Sequence, residues 1–387
     1  MRLLHTADWH LGRLFHKVHL TADQAVVAGR LIELVEEERP DAVLVAGDLY
    51  DRAVPGTDAV ELLDHILSEL VLRLSVPVIA IAGNHDSPSR VGFAAGLLRE
   101  RGLHLVGLLP GEAQAVVLAD EYGPVYVHPL PFADPAEARA AFSKPDIHDQ
   151  QAVLSACAAR ALAATPAGER RVAVAHAFVA GGVESESERP ISVGGAGAVA
   201  TGTFDGFDYV ALGHLHRPQA AGATARYAGS LMKYSFSEHD HEKSVSLVEI
   251  GPPGGAAGAQ VSITEHPLRP PRDARRIEGT LADLLARGRT DPARDDYICA
   301  ALTDTAALLD PMGRLREVYP NALAIELPEA AGRRGDERLR ADPQRGDPQL
   351  FADFFTQVTG EPPDEGQAAA FVAVADELRR REREARP

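Results

Sequence analysis

Five apolar runs in this chain end in Asp, Asn or His. Arg2-Leu3-Leu4-His5 runs into Asp8-Trp9-His10, and Val43-Leu44-Val45-Ala46 into Gly47-Asp48. Val78-Ile79-Ala80-Ile81 runs into Gly83-Asn84-His85-Asp86, Val172-Ala173-Val174-Ala175 into His176, and Tyr209-Val210-Ala211-Leu212 into Gly213-His214-Leu215-His216. Such runs read as buried strands. In open α/β sheets, ligands bind outside the carboxyl ends of the strands, so five strands delivering these side chains to one edge would assemble a metal site. The donors are two carboxylates (Asp8, Asp48), one amide oxygen (Asn84) and three to five imidazoles from His10, His85, His176, His214 and His216. That mixture suits Mn²⁺, Fe²⁺ or Zn²⁺ better than Ca²⁺, which wants oxygen throughout. A shared carboxylate can bridge two ions about 3.5–4 Å apart, the spacing used for in-line phosphoryl displacement. Asp48 is the natural bridge, central in chain order and with no companion ligand in its own turn. Gly47, Gly83 and Gly213 are expected to let the backbone turn tightly beneath the ions. A single histidine of this kind reads as a satisfied core or surface residue; a set drawn from five segments does not.

The elements that must position these residues follow from periodicity. Apolar positions at helical spacing predict helices over 21–39, with Thr21 as N-cap, over 57–74 and over 87–101. Their alternation with strands predicts parallel, right-handed crossovers. Residues 116–118 and 125–129 read as a hairpin and the alanine-rich 135–164 as helical. The Gly- and Ser-rich stretch 177–206 reads as a long loop beside His176. Segments 222–230 and 243–250 read as strands of a second sheet face, and Val261-Ser262-Ile263-Thr264 as the last strand of a first domain, 1–265. After Pro267-Leu268-Arg269-Pro270-Pro271, residues 266–330 read as a small β-α-β-α-β domain. The Gly/Arg/Asp/Pro-rich 331–347 reads as a linker. The final segment, 348–387, reads as two amphipathic helices, one with Leu350, Phe351, Phe354, Phe355 and Val358, the other with Phe371, Val374, Ala375 and Leu378.

At 387 residues, 45% hydrophobic and 25% charged, the composition is that of a globular protein with room for two or three domains. No run approaches the roughly 20 apolar residues that cross a bilayer, and Met1 to Asp8 does not read as a signal peptide. Cys157 and Cys299 sit in apolar surroundings and read as buried free thiols, which fits a reducing cytosol. The net charge of −17 argues against wrapping nucleic acid with a broad basic face. It leaves a nuclease open, because bound cations invert the local sign. His16 and His19 read as surface residues, His239 and His241 as part of an exposed acidic run, and Trp9 as packing under the site.

The ordered set D-x-H, G-D, G-N-H-D, H, G-H-x-H resembles the signature of the calcineurin-like metallophosphoesterase superfamily. That resemblance implies an α/β fold: a β-sandwich flanked by helices in α/β/β/α layers, with a small α/β capping domain and a C-terminal helix pair. It implies one ion held by Asp8, His10, Asp48 and His216, and another by Asp48, Asn84, His176 and His214. It makes His85 the general acid or transition-state stabiliser, with Asp86 orienting it. Within the superfamily, Leu3 to Arg13, Ala46 to Asp51, Ala82 to Ser87, Ser192 to Gly195, Phe207 to Gln219, Tyr227 to Ser230 and Ser235 to Glu238 resemble the SbcD family of bacterial nuclease subunits. Asp51 stands where archaeal and eukaryotic relatives carry histidine. The family implies a Mn²⁺-dependent DNA nuclease, with Mg²⁺, Fe²⁺ or Zn²⁺ as other candidate ions. It would be an ATP-dependent double-strand 3'–5' exonuclease and a single-strand or hairpin endonuclease, active in DNA end processing. The implied partner is an SbcC-type coiled-coil ATPase, docked on the terminal helices of a homodimer within a heterotetramer. Two other readings compete. A stand-alone phosphodiesterase or phosphatase for small substrates would leave the terminal helices unexplained. A non-catalytic scaffold would require missing ligands, and none is missing.

Overall fold

The computed structural model describes residues 1–189, 197–255, 258–306 and 308–327, and toward the C-terminus 348–349, 351–352, 355–356 and 361–384. The linker 331–347 and the segment Ser192 to Gly195, like Leu350, Phe354 and Val358, lie outside the described residues. Residues 1–328 form one compact unit and 329–387 another.

The apolar runs become strands β1 (Arg2–Thr6), β2 (Ala42–Val45), β3 (Val78–Ile81), β4 (Leu103–Val106), β5 (Val116–Asp120), β6 (Gly123–Leu130), β7 (Arg170–His176), β8 (Tyr209–Gly213), β9 (Gln219–Ala220), β10 (Ala225–Tyr227), β11 (Ser244–Ile250) and β12 (Val261–Pro267). They form two six-stranded sheets, in the orders β12-β11-β1-β2-β3-β4 and β9-β10-β8-β7-β6-β5. Strands β1 to β4 are parallel in the first, as are β6, β7, β8 and β10 in the second. Alternate side chains point to opposite faces. Leu3, Leu44, Ile79 and Ile81 therefore meet Val127, Val172, Val174 and Ala211 between the sheets. Leu4, Val43, Val45 and Val78 face outward onto Val27, Leu31 and Ile66 of helices α1 (Thr21–Glu38) and α2 (Thr57–Ser68). On the far side, after α3 (Pro135–Phe142), helix α4 (Gln150–Ala164) lays Val153, Leu154 and Cys157 on Ala173, Ala175, Val210 and Leu212. The result is an α/β/β/α sandwich. Strands buried on both faces are continuous apolar runs, and truncating a fully buried leucine such as Leu31 to alanine costs about 2–5 kcal/mol.

Local departures from the sequence reading have local causes. Leu20, not Thr21, is the N-cap of α1; the Thr21 hydroxyl instead donates to Asp58 at 2.7 Å. The helix expected over 57–74 is regular only to Ser68 and widens into a π-type turn over Glu69–Arg73. The helix expected over 87–101 breaks into Pro88–Val91, Ala95–Leu98 and a tighter turn at Arg99–Arg101, with Ala94 left-handed at φ 57; Gly92 and Gly96 weaken helix there. Ser143, left-handed at φ 53, ends α3, and Asp149 caps α4 through the Ala152 amide. The segments 222–230 and 243–250 do not share a sheet: β10 lies in the second sheet, whereas β11 pairs with β1 in the first.

Beyond β12, strands β13 (Ala274–Gly279), β14 (Tyr297–Leu302) and β15 (Ala322–Glu326) form a parallel three-stranded sheet. Helices α5 (Leu281–Gly288) and α6 (Pro311–Arg316) close it with Leu281, Leu284 and Leu315. In the C-terminal unit, helix α7 spans Glu365–Glu384, and the Phe371 ring stacks on Phe351 at 4.2 Å. Among the described residues no helix is long and apolar enough to cross a membrane.

Candidate metal centre

The seven candidate ligands come from both sheets rather than from one open edge. Asp8 and His10 leave the end of β1, Asp48 the turn after β2, and Asn84 the turn after β3. His176 ends β7, while His214 and His216 follow β8. All but Asn84 are buried. Four of them hold left-handed backbone, with φ of 52 at Asp8, 44 at His10, 50 at Asp48 and 111 at His214. Backbone strain of this kind persists where the surroundings over-determine it. Here the ties are explicit. The Asp8 amide donates to the Gly47 carbonyl at 3.1 Å and the His10 amide to the Asp48 carbonyl at 3.0 Å. The His214 amide donates to both Asp8 oxygens at 2.9 and 3.1 Å, and the His85 amide to Asp48 Oδ1 at 2.8 Å. Of the three expected turn glycines, Gly47 alone has a positive φ, 90. Gly83 is needed for close approach: a Cβ there would collide with the Asp48 carboxylate and amide.

The donor atoms converge. Asp8, His10 and His216 each offer an atom within 4.8 Å of the others, as do Asp8, Asp48 and His176. Asp48 Oδ2 lies 3.6 Å from His10 Nε2 and 3.5 Å from His176 Nε2. The His214 ring sits 5.5 Å from that of His176. Proton counting at His176 shows what the cluster lacks. Its Nδ1 faces the Ala46 carbonyl at 2.9 Å, and its Nε2 faces Asn84 Oδ1 at 2.8 Å as well as Asp48 Oδ2. A neutral imidazole has one proton for these acceptors, and burial pushes the ring down to about 4, against the bond to Ala46. The Nδ1 proton serves Ala46, so the Nε2 lone pair meets oxygen with nothing positive between. Burial, then repulsion by Asp48, likewise pushes the Asp8 carboxyl well above its usual range. Among the described residues no lysine or arginine pairs with Asp8 or Asp48. Buried carboxylates and imidazole lone pairs, with the half-buried Asn84 amide oxygen beside them and no cation paired to either carboxylate among the described residues, fit divalent cations.

His85 and Asp86 stand beside this set. The His85 ring packs edge-on to His10 at 4.6 Å, and its Nδ1 lies 2.9 Å from the Asp51 carbonyl. The sequence reading set Asp86 to orient His85, but the carboxylate is committed elsewhere. It accepts from the amides of Leu49 at 3.1 Å, Tyr50 at 3.0 Å and Gly83 at 2.9 Å, tying the Asp48 turn to the Asn84 turn. Burial and the nearby Asp48 push it up to about 7, against the pull of those amides.

Residues 1–218 match the calcineurin-like phosphoesterase family, and residues 270–359 the family described as type 5 capsule protein repressor C-terminal domain. The SbcD subunit of the SbcCD nuclease of Staphylococcus saprophyticus is 32% identical over 363 residues, covering 93% of this chain and 94% of that protein. The chain belongs to the SbcD family of calcineurin-like phosphoesterases. Among solved structures, TT1561 of Thermus thermophilus is 14% identical and covers 69% of this chain and 99% of its own, with a TM-score of 0.38. A dimetal phosphatase from Danio rerio is 12% identical and covers 70% of this chain and 99% of its own, with a TM-score of 0.35.

In this SbcD-family chain, sequence reasoning missed the polar residues behind the ligands. Gln24 of α1 donates to the carbonyls of Trp9 at 3.2 Å and His10 at 2.8 Å, and the Tyr234 hydroxyl donates to the Trp9 carbonyl at 2.5 Å. Trp9 itself is fully buried, its indole donating to Thr6 at 2.9 Å. The acidic run around His239 and His241, read as exposed, is exposed at His239 but alternates with buried residues. Glu238 is 0% exposed, Lys243 4% and His241 7%, while His239, Asp240 and Glu242 are exposed. Burial opposes ionisation of Glu238, but the Lys243 charge and the His216 bond outweigh it and hold the carboxyl well below its usual range. Alternation and spacing carry no mark of this pair.

Proposed function

We propose that this chain is the Mn²⁺-dependent nuclease subunit of a DNA end-processing complex, cleaving phosphodiesters with two cations. The observation that carries the reading is Asp48 Oδ2, poised 3.6 and 3.5 Å from imidazole nitrogens that arrive from opposite sheets. One ion would be held by Asp8, His10, Asp48 and His216, the other by Asp48, Asn84, His176 and His214. When bound, such a pair neutralises the charge that builds on a phosphodiester during in-line displacement. The protein supplies the rest. The left-handed turns at Asp8, His10 and Asp48 hold their side chains at the rim before any ligand arrives. With Nδ1 committed to the Asp51 carbonyl, His85 directs Nε2 away from the backbone, where a protonated ring stabilises the phosphate or donates to the leaving oxygen. Asp86 is a positioning residue acting through the backbone of both turns.

The name of the Staphylococcus relative, a subunit of SbcCD, supports an SbcC-type coiled-coil ATPase as partner and DNA as substrate. In that setting the chain would act in the cytoplasm at the nucleoid, as an ATP-dependent double-strand 3'–5' exonuclease and a hairpin endonuclease within a heterotetramer. The domains proposed for these roles are 1–265 for the phosphoesterase, 266–330 for the cap, 331–347 for the linker and 348–387 for partner docking. The test is linear duplex DNA with Mn²⁺ and ATP, with and without the partner ATPase. Wild type degrades it, and His85→Ala binds Mn²⁺ equally but cuts about 10²–10⁴-fold more slowly. Equal degradation by the two proteins would remove His85 from the chemistry. Hydrolysis of small phosphodiesters alone, even with the partner present, would make the chain a stand-alone phosphodiesterase.

A further inference from the structure

Behind His216 lies a buried chain of polar groups that the reaction does not use directly. His216 Nδ1 is 2.7 Å from the Ser187 hydroxyl and 3.4 Å from Glu238 Oε1 itself. The Ser187 hydroxyl, 3.0 Å from Ser185 Oγ, donates in turn to Glu238 Oε1. Glu238 Oε1 also accepts from the Tyr234 amide at 3.2 Å, and its Oε2 takes Lys243 Nζ at 2.5 Å. The Lys243 ammonium spends its remaining donors on the His216 carbonyl at 2.7 Å and Ser230 Oγ at 2.9 Å. Ser187, Glu238 and Lys243 are all buried. Carboxylate and ammonium cancel, and Glu238 has only acceptor capacity to offer, so the serine proton points to Glu238. The serine oxygen can then only accept from Nδ1–H of His216. That leaves the Nε2 lone pair of His216 facing the site, 3.1 Å from Nε2 of His10. The neighbouring Glu188 accepts from the His216 amide at 2.8 Å, and the Glu186 amide donates to Ser237 Oγ at 3.1 Å. One surface loop thus grips both the backbone and the ring of the ligand.

We infer that Ser187 is a positioning residue, a hydroxyl relay carrying the Glu238 charge to His216 and fixing it as the Nδ1–H tautomer, so that its Nε2 ligates one of the two cations. The inference rests on the two-cation reading above, and it makes the two ion sites unequal. Only the site containing His216 depends on the relay; the His176 site takes its tautomer from the Ala46 carbonyl. Removing an outer partner of a metal-bound histidine typically weakens the metal about 10–100-fold.

The experiment is calorimetric titration of Mn²⁺ alone into metal-free full-length protein, without DNA. Wild type should show two binding events. Ser187→Ala should keep one unchanged and weaken the other about 10–100-fold, and Ser187→Thr, which keeps the hydroxyl, should restore it. Loss of both events together, or of neither, in folded Ser187→Ala overturns the relay. Nitrogen-15 NMR of metal-free wild type reads the tautomer without any substitution at Ser187, with His216→Gln assigning the signal. A proton on Nδ1 supports the relay, and a proton on Nε2 overturns it whether or not Ser187→Ala folds. A wild type that binds no Mn²⁺ overturns the nuclease reading and the relay together, whereas unchanged binding by Ser187→Ala overturns the relay alone.

Discussion

The Nε2 atoms of His10 and His216 face each other at 3.1 Å in a buried cleft. With His216 as the Nδ1–H tautomer, its Nε2 lone pair is met either by Nε2–H of His10 or, when both rings carry their proton on Nδ1, by a cation. Protonating His10 is opposed first by burial and then by His216 and His85. Asp8, His10 and His216 would hold a cation in the folded state only, because the unfolded chain has no such arrangement. Mn²⁺ should therefore raise the unfolding temperature, with about 2.7 kcal/mol gained at a hundredfold excess over its dissociation constant, and EDTA should reverse it. A thermal melt with and without Mn²⁺ checks this. An unchanged midpoint would show that the cluster takes no ion.

Acid should weaken the metal-free protein in a defined window. Burial lowers His5 to about 3, and burial together with Arg171 lowers His128 to about 4, from an ordinary 6.5. Both rings are held by neutral partners, His5 by the Tyr209 hydroxyl and His128 by the Thr165 hydroxyl, at 2.8 and 2.7 Å. Between about 4 and 6.5 these two rings bind protons in the unfolded chain that they refuse in the folded one, so their contribution to stability rises with pH there, while the raised carboxyls of Asp8 and Asp86 contribute with the opposite sign. The contribution of the two rings is fully present above 6.5 and is lost as pH falls toward 4. Urea unfolding at intervals across this range should trace that slope, and His128→Gln should flatten part of it.

The ligand turns were legible because strands buried on both faces are unbroken apolar runs, and the residue that ends a run stands at the rim of the sheet. Asp8, Asp48 and His176 could each be placed in this way. The sandwich itself was less open to periodicity, since nothing in the run Ser244 to Ile250 says that it returns beside β1 rather than joining the second sheet. The buried polar support was closed to it altogether. Ser187 sits in a glycine- and serine-rich loop and Glu238 in a stretch of Ser, Asp, Glu and His, compositions that read as solvated. Their burial exists because the loop carrying Ser187 folds against His216 and Glu238, with Lys243 five residues on from Glu238. Asp86 misled for a related reason: adjacency to His85 suggested a contact, but the turn points its carboxylate at three amides instead.

Arg170 offers a stability test away from the site. Its side chain is 0% exposed and pairs with Asp120 while donating to the carbonyls of Gly123 and Gly251. Asp120 also holds the Met1 amine at 2.6 Å, so one carboxylate neutralises two buried cations. Asp120→Ala strands both charges, and breaking a buried pair on one side costs about 3–5 kcal/mol. The urea midpoint should fall accordingly, while Mn²⁺ affinity of the folded fraction stays at the wild-type value. A midpoint within about 0.5 kcal/mol of wild type would show that water reaches the guanidinium.

The tail tests the partner assignment separately from the chemistry. Phe351 and Phe371 stack at 4.2 Å with their rings 7° from parallel, and Phe355 lies 5.6 Å from Phe351. This aromatic cluster joins the two tail segments, and in the proposed complex it shapes the helix pair that docks on the coiled coil. Phe371→Ala removes the stack on Phe351. Affinity for an SbcC-type ATPase should fall roughly tenfold or more, as for a buried aromatic anchor, while Mn²⁺-dependent hydrolysis of a small phosphodiester proceeds at the wild-type rate. Surface plasmon resonance against the immobilised ATPase, paired with a chromogenic diester assay, reads both. Unchanged affinity would move the docking surface off the tail, and a matching loss of diester hydrolysis would show that the tail supports the catalytic unit instead.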